Sequence, residues 1–250
     1  MKLAAIQHDI AWQDPARTHA LIEPMIAEAV DEGSSLVVLS EMFATGFTMD
    51  AAAIAQPPDG PSVEFLRNQA AQRHAWLAGS LAIVEDGRYW NRFFAAGPDG
   101  ELVSYDKRHP FSYAGEDKVF ARGDDFVTFT IDGLRITPFI CYDLRFGDEF
   151  WSHGPETDLF VVVANWPEQR RMHWSTLLRA RAIENQCYVV GTNRVGDADG
   201  LHYTGDTAII DPFGHALAEA SGEPAVLTAD VTVEEVQRIR AQFPFLQDRR

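Results

Sequence analysis

The chain has 250 residues, 46% of them hydrophobic, and its 37 acidic against 21 basic side chains leave a net charge of −16. That size suits one domain around one large core, and that charge argues against nucleic acid or an anionic membrane as partner, since both require a basic face. Only two cysteines, Cys141 and Cys187, are present, so no disulfide framework is indicated, and no stretch approaches the ~20 apolar residues of a membrane span.

The first ten residues hold one lysine, a short apolar run and then His8 and Asp9. That is too short and too polar for a signal peptide, and a cytoplasmic protein with free thiols is expected. Leu3 to Gln7 and Leu36 to Leu39 read as strands on either side of a helix running from Pro15 to Gly33, with apolar residues at helical spacing. Strand, helix, strand is a parallel unit.

A second helix is predicted from Pro61 to His74, then strands Trp76 to Val84, Tyr89 to Ala96 and Glu101 to Tyr105, joined at Asp86-Gly87 and Asp99-Gly100. Asp-Gly between β-rich runs signals hairpins. Phe126 to Ile131 and Leu134 to Ile140 form another pair around Asp132-Gly133. After Cys141 come a short helix, the strand Leu159 to Ala164, the helix Arg171 to Asn185 and the strand Cys187 to Thr192. Further strands are read at Thr207 to Asp211 and Ala225 to Val231. So many strands with helices between them imply an α/β chain, with two mixed sheets packed together inside two helical layers.

Cys141 stands where the apolar run Ile136 to Ile140 gives way to a polar, helix-like segment. A strand delivers a residue rigidly, and a following helix N-terminus favours a developing anion. A thiol still needs a base, because its ordinary pKa lies near 8.5 and nearby Asp143 is expected to push it higher. Glu41 directly follows the strand Leu36 to Leu39 and leaves a sheet edge in the same manner as Cys141, while the loop 42–47 is compact and aromatic. Lys107 closes another strand and opens the basic cluster Lys107-Arg108-His109 in an acidic protein. An ammonium there would stabilise both thiolate and oxyanion. Cys187 begins an apolar strand and reads as core.

Together these three segments resemble the nitrilase superfamily of carbon–nitrogen hydrolases, in which a catalytic Glu, Lys and Cys occur in that order. Within it the chain is similar to the omega-amidase branch, on Glu41 to Phe47, Ala164-Asn165-Trp166-Pro167, Ala180 to Gln186 and Thr192 to Gly196. The resemblance implies Glu41 as general base, Lys107 as oxyanion-side cation, Cys141 as nucleophile and Glu116 as the group that orients Lys107. It implies a four-layer αββα sandwich, a homodimer or higher homo-oligomer, no metal and no organic cofactor. The implied substrate is the terminal amide of a short monoamide such as 2-oxoglutaramate. Ser40 and Gly147 stand where the family commonly has proline.

Trp166, Phe43, Phe111 and Tyr142 sit on loops at the same edge and are expected to wall a small pocket, with the Tyr142 N–H beside the oxyanion. Arg108, Arg145 and Arg194 are the candidates for neutralising the far end of the substrate. One domain over 1–250 is expected, with 231–250 extending along a partner subunit because that stretch offers few contacts of its own. Three rival readings remain. A nitrilase or an N-carbamoyl amidase would use the same triad, and a catalytically silent binding protein would keep only the fold. A metal-dependent phosphoesterase would need clustered ligands, for which His8-Asp9 is the only adjacent pair at a strand end.

Overall fold

A computed structural model of the chain describes residues 1–249. Its elements in order are β1 (Lys2–Gln7), α1 (Pro15–Asp31), β2 (Leu36–Val38), α2 (Ala51–Ile54), α3 (Pro61–Arg73), β3 (Trp76–Glu85), β4 (Arg88–Ala96) and β5 (Leu102–Asp106). The second half holds β6 (Phe129–Ile131), β7 (Leu134–Ile140), α4 (Gly147–His153), β8 (Leu159–Ala164), α5 (Arg171–Asn185) and β9 (Tyr188–Asn193). It closes with β10 (Val195–Ala198), β11 (Leu201–Ile210), β12 (Ala216–Ser221), β13 (Ala225–Asp230) and α6 (Val233–Gln242).

The strands form two sheets, one in the order β13-β1-β2-β3-β4-β5 and the other β10-β11-β9-β8-β7-β6 with β12 beside β11. The β1–β2, β2–β3, β7–β8 and β8–β9 pairs are parallel. Their apolar runs are buried on both faces, and alternate side chains serve different layers. In β8, Leu159, Val161 and Val163 face the other sheet, where they meet Leu36, Val38 and Phe93. Phe160, Val162 and Ala164 point the other way, onto Phe150 of α4 and Trp174 and Leu178 of α5. On the opposite flank Ala4, Ile6, Val37 and Leu77 pack under Ile22 and Ile26 of α1 and Leu66 of α3. This is the expected αββα sandwich.

Two hairpins use the predicted Asp-Gly turns with both residues at positive φ, Asp86-Gly87 at 51° and 73° and Asp132-Gly133 at 49° and 82°. That pair of left-handed residues matches the twist of the flanking strands. Several elements differ from the sequence reading, which had neither α2 nor β10. β11 starts at Leu201 rather than Thr207, because Gly205 and Asp206 form a bulge inside a strand instead of a turn before it. β12, rich in alanine, is a strand because the turn at 211–214 lays it against β11. α6 is a capped helix, Thr232 accepting from the Glu235 N–H, and it buries Val236 and Ile239.

The described part of the C-terminal segment, 231–249, therefore makes more contacts with its own chain than its sequence promised. Arg240 donates to the carbonyls of Gly154, Thr157, Asn185 and Gln186 at 2.6–3.2 Å. Arg249 donates to those of Trp151 and Glu184 at 2.7 and 2.6 Å.

Candidate active site

The carboxyl ends of β2 and of the edge strand β5 in one sheet meet those of β7 and β8 in the other, and the chemistry-bearing side chains leave them there. Glu41 follows β2, Lys107 follows β5 and Cys141 follows β7, as the strand-end positions read from the sequence predict. Lys107 sits opposite Asn91 of β4, whose carbonyl accepts the Lys107 N–H at 3.0 Å. Glu116 lies in a 3-10 turn spanning Glu116–Lys118, and the Phe111 N–H donates to its carboxylate.

All three charged side chains are buried. Lys107 Nζ donates to Glu41 Oε1 at 2.9 Å and to Glu116 Oε1 and Oε2 at 3.0 and 2.8 Å. Burial by itself would lower the lysine's pKa, but the two carboxylates outweigh it and hold the ammonium well above its ordinary range. Glu116 is raised by burial, against the pull of Lys107. Glu41 is fixed from a third side, since the Asn165 N–H donates to Oε2 at 2.8 Å and the Asn165 amide donates to the Glu41 carbonyl.

Cys141 opens a 3-10 turn, Cys141–Arg145, and has a φ of 48°. A non-glycine residue in the left-handed region is strained and needs support from its surroundings. Asp143 supplies that support: its carboxylate accepts the Ile140 N–H at 2.9 Å, the Tyr105 hydroxyl at 2.8 Å and the His109 N–H at 2.9 Å. Asp143 is therefore turned back toward β5 and is not the charge that acts on the thiol. Burial pushes the Cys141 thiol well above its ordinary range, and the adjacent Glu41 carboxylate pushes it further while Lys107 opposes. The thiol is protonated at rest, with the Glu41 carboxylate beside it.

Above Cys141 opens a cavity of about 410 Å³, a size suited to a small metabolite. Phe111, Tyr142 and Trp166 line it as expected. Phe43 does not: its side chain is fully buried in the core between β2, β3 and α3, against Gly79. Phe47, four residues further along the same loop, takes the place at the pocket, with Lys107 Nζ 5.3 Å from its ring centre.

The three candidate arginines separate. Arg108 stacks on Phe126 and pairs with Glu149, and Arg194 is buried against Asp9 at 2.7 Å. Arg145 lines the pocket, its guanidinium 4.8 Å from the Trp166 ring centre. Arg170 joins it on the same wall, 5.3 Å from the Phe111 ring centre. His8 is buried beside the carbonyls of Ile6 and Phe43, at 3.3 and 3.2 Å, and burial pushes it down to about 4. Neutral and bonded to backbone, it serves packing rather than a metal.

The sequence reading missed Asn91, Asn165, Tyr203 and Arg170. Asn165 follows β8 as Cys141 follows β7, a signal that was available. Tyr203 lies in the first part of β11, hidden by the bulge; its ring is covered by Arg194 at 4.8 Å, and burial pushes the phenol up to about 12. Gly147 stands against Arg181, where an added Cβ would lie 2.9 Å from the guanidinium. Arg181 in turn donates to the Leu144 carbonyl at 2.8 Å.

The sequence profile described as carbon-nitrogen hydrolase matches residues 2–241. The chain is 41% identical to the omega-amidase YafV of Yersinia enterocolitica, over 99% of this chain and 96% of that one. It is 30% identical to the 2-oxoglutaramate amidase of Bacillus subtilis, over 98% and 96%. Its fold matches the crystal structure of XC1258 from Xanthomonas campestris, a CN-hydrolase superfamily protein, with a TM-score of 0.95 and 38% identity over 100% of this chain and 97% of that one. An amidase mutant from Nesterenkonia sp. AN1, bearing acrylamide added at its active-site cysteine, matches with a TM-score of 0.86 and 25% identity over 98% of both chains.

Proposed function

The chain belongs to the carbon–nitrogen hydrolase family, and from that premise we propose that it hydrolyses the terminal amide of a short dicarboxylate monoamide, of which 2-oxoglutaramate is the type, to the acid and ammonia. The observation that carries this reading is the joint placement of Cys141 over the buried Glu41–Lys107–Glu116 cluster and of Arg145 and Arg170 on the wall of the same pocket. One end of the pocket holds a nucleophile with its base, and the wall offers cations for a carboxylate. In a protein of net charge −16 those cations must act locally.

In the proposed reaction Glu41 takes the thiol proton as Cys141 Sγ attacks the amide carbonyl carbon. The raised thiol fits this concerted transfer better than a standing thiolate. One Lys107 N–H points to Glu41, and a second, shared between the two Glu116 oxygens, leaves the third for the oxyanion, with the Tyr142 N–H beside it. Glu41 then gives the proton to the leaving nitrogen, ammonia departs, and a thioester remains. Water, deprotonated by Glu41, attacks the thioester carbonyl; the acid leaves and the thiol recovers its proton. Glu116 orients Lys107 throughout. Trp166, Phe111 and Phe47 form the apolar walls.

We further read the chain as a cytoplasmic homodimer; a reducing compartment keeps both of its cysteines as free thiols. The test of the activity is a panel of glutaramate-type amides, short nitriles and ureido acids with an ammonia readout. Turnover is expected on the amides, and Cys141→Ala is expected to remove it. Substantial activity in that variant would overturn the assignment of Cys141, and preference for nitriles or ureido acids would move the chain to a nitrilase or carbamoyl amidase. No turnover on any member would leave a binding protein of this fold.

A further inference from the structure

Asn91 of β4 is buried, and the amide nitrogen of its side chain lies between the two carboxylates. Nδ2 donates to Glu41 Oε1 at 2.8 Å and to Glu116 Oε1 at 3.1 Å. Its two N–H groups diverge by about the angle needed to serve two separate acceptors. The orientation of the amide is fixed from behind. Ser80 Oγ of β3 accepts the Met42 N–H at 2.9 Å, so its own proton goes to Asn91 Oδ1 at 2.9 Å. A flipped amide would point its oxygen at two carboxylates.

We propose that Asn91 is a positioning residue for the reaction: one side-chain amide, oriented by Ser80, holds Glu41 and Glu116 ionised together around a single lysine, so that Glu41 is free of a proton when the thiol must give one up. The inference rests on the reading of Glu41 as the base.

Charge decides why this position needs a neutral donor. Lys107 brings one positive charge against two negative ones in a buried site, and a buried excess of negative charge takes up protons unless hydrogen bonds hold it. Glu116 already leans toward protonation through burial. A second cation in place of Asn91 would relieve the excess but weaken Glu41 as a base. An amide donates two hydrogen bonds and adds no charge. The other groups facing Glu41 are Cys141 after β7, which is neutral at rest, and Tyr203 on β11, pushed up to about 12 and neutral as well. Oε1 of Glu41 is occupied by Asn91 and Lys107, while Oε2 carries the single Asn165 N–H and keeps a lone pair for the thiol proton.

The experiment compares Asn91→Asp, Ser80→Ala and Glu41→Gln with the wild type, following kcat/KM on a glutaramate-type amide and the rate of Cys141 alkylation by iodoacetamide, both against pH. Asn91→Asp keeps the shape and turns two donors into acceptors. Its kcat/KM at neutral pH is expected to fall at least about tenfold, the loss of a charge-assisted hydrogen bond, and the acid limb to move up by about one pH unit. Ser80→Ala leaves the amide in place without its orienting proton and is expected to move the limb the same way by less; it carries the test if the aspartate variant does not fold. Alkylation does not depend on which amide is the substrate. A Glu41→Gln variant alkylated with the wild-type pH profile would overturn Glu41 as base, and the present inference with it. If Glu41→Gln changes that profile while Asn91→Asp and Ser80→Ala keep the wild-type limb, Asn91 is structural only and the proposal fails.

Discussion

A lysine between two carboxylates, all buried, surrounds the Cys141 thiol with one positive and two negative charges. Cys141 is held above its ordinary pKa by burial and by Glu41, which in the proposed reaction means that the nucleophile is generated as it is used. The far end of the proposed substrate is a separate problem in charge, for which Arg145 on the pocket wall is the proposed partner. Arg145→Met keeps the stem packed over Trp166 and removes the guanidinium, and a lost charge-assisted hydrogen bond costs about 1.5–3 kcal/mol. KM for a dicarboxylate monoamide is therefore expected to rise roughly tenfold to a hundredfold, with little change for an amide that has no second carboxylate. Equal effects on both substrates would remove Arg145 from recognition. The residues legible in the sequence, Glu41, Lys107 and Cys141, share one property: each stands just past the end of a strand, where a rigid scaffold releases a side chain. Asn91 and Tyr203 lie within strands, where hydrophobic alternation gives no sign of which polar residue faces a site. Phe43 failed for the converse reason, since an aromatic residue in a loop beside a core is as well placed for packing.

At the scale of elements, the regular strands and the helices α1, α3 and α5 were readable because burial on one or both faces writes itself into hydrophobic spacing. The elements that escaped are held by polar groups. Helix α6 is mostly charged on its surface and owes its place to Val236, Ile239 and the Arg240 guanidinium, which gathers four carbonyls from around the ends of α4 and α5. Arginine can do this with its planar fork of donors, and no carboxylate is needed to identify the partner in advance. Arg240→Met is expected to lower stability by about 2 kcal/mol or more, because carbonyls in a half-buried place lose their donors. The urea midpoint reports the loss, and kcat should be unchanged, since α6 does not reach the pocket. A variant with wild-type stability would show that α6 is held by its two apolar side chains alone.

For the whole molecule the question is whether a second copy covers the outer face of α5. Met172 and Ile183 stand three turns apart on one side of that helix, 73% and 54% exposed. Ile183 meets the turn at Gly214, beside which Phe213 is 41% exposed. Leu217 of β12 and Phe245 after α6 add further exposed apolar surface. Apolar side chains of this size clustered around one helix mark a contact surface, and a self-complementary contact between two copies is the commonest closed assembly. Two chains of charge −16 repel at long range, so an association driven by apolar burial should strengthen as salt screens that repulsion. Light scattering on the eluting protein is therefore expected to give about twice the 27.9 kDa of one chain, with the dimer persisting or tightening as salt is raised. Ile183→Glu places a like charge at the centre of the face on both copies and should shift the protein toward monomer without unfolding it, because the side chain is more than half exposed. A monomer at all salt concentrations would overturn the dimer, and a dimer untouched by Ile183→Glu would move its interface to another face.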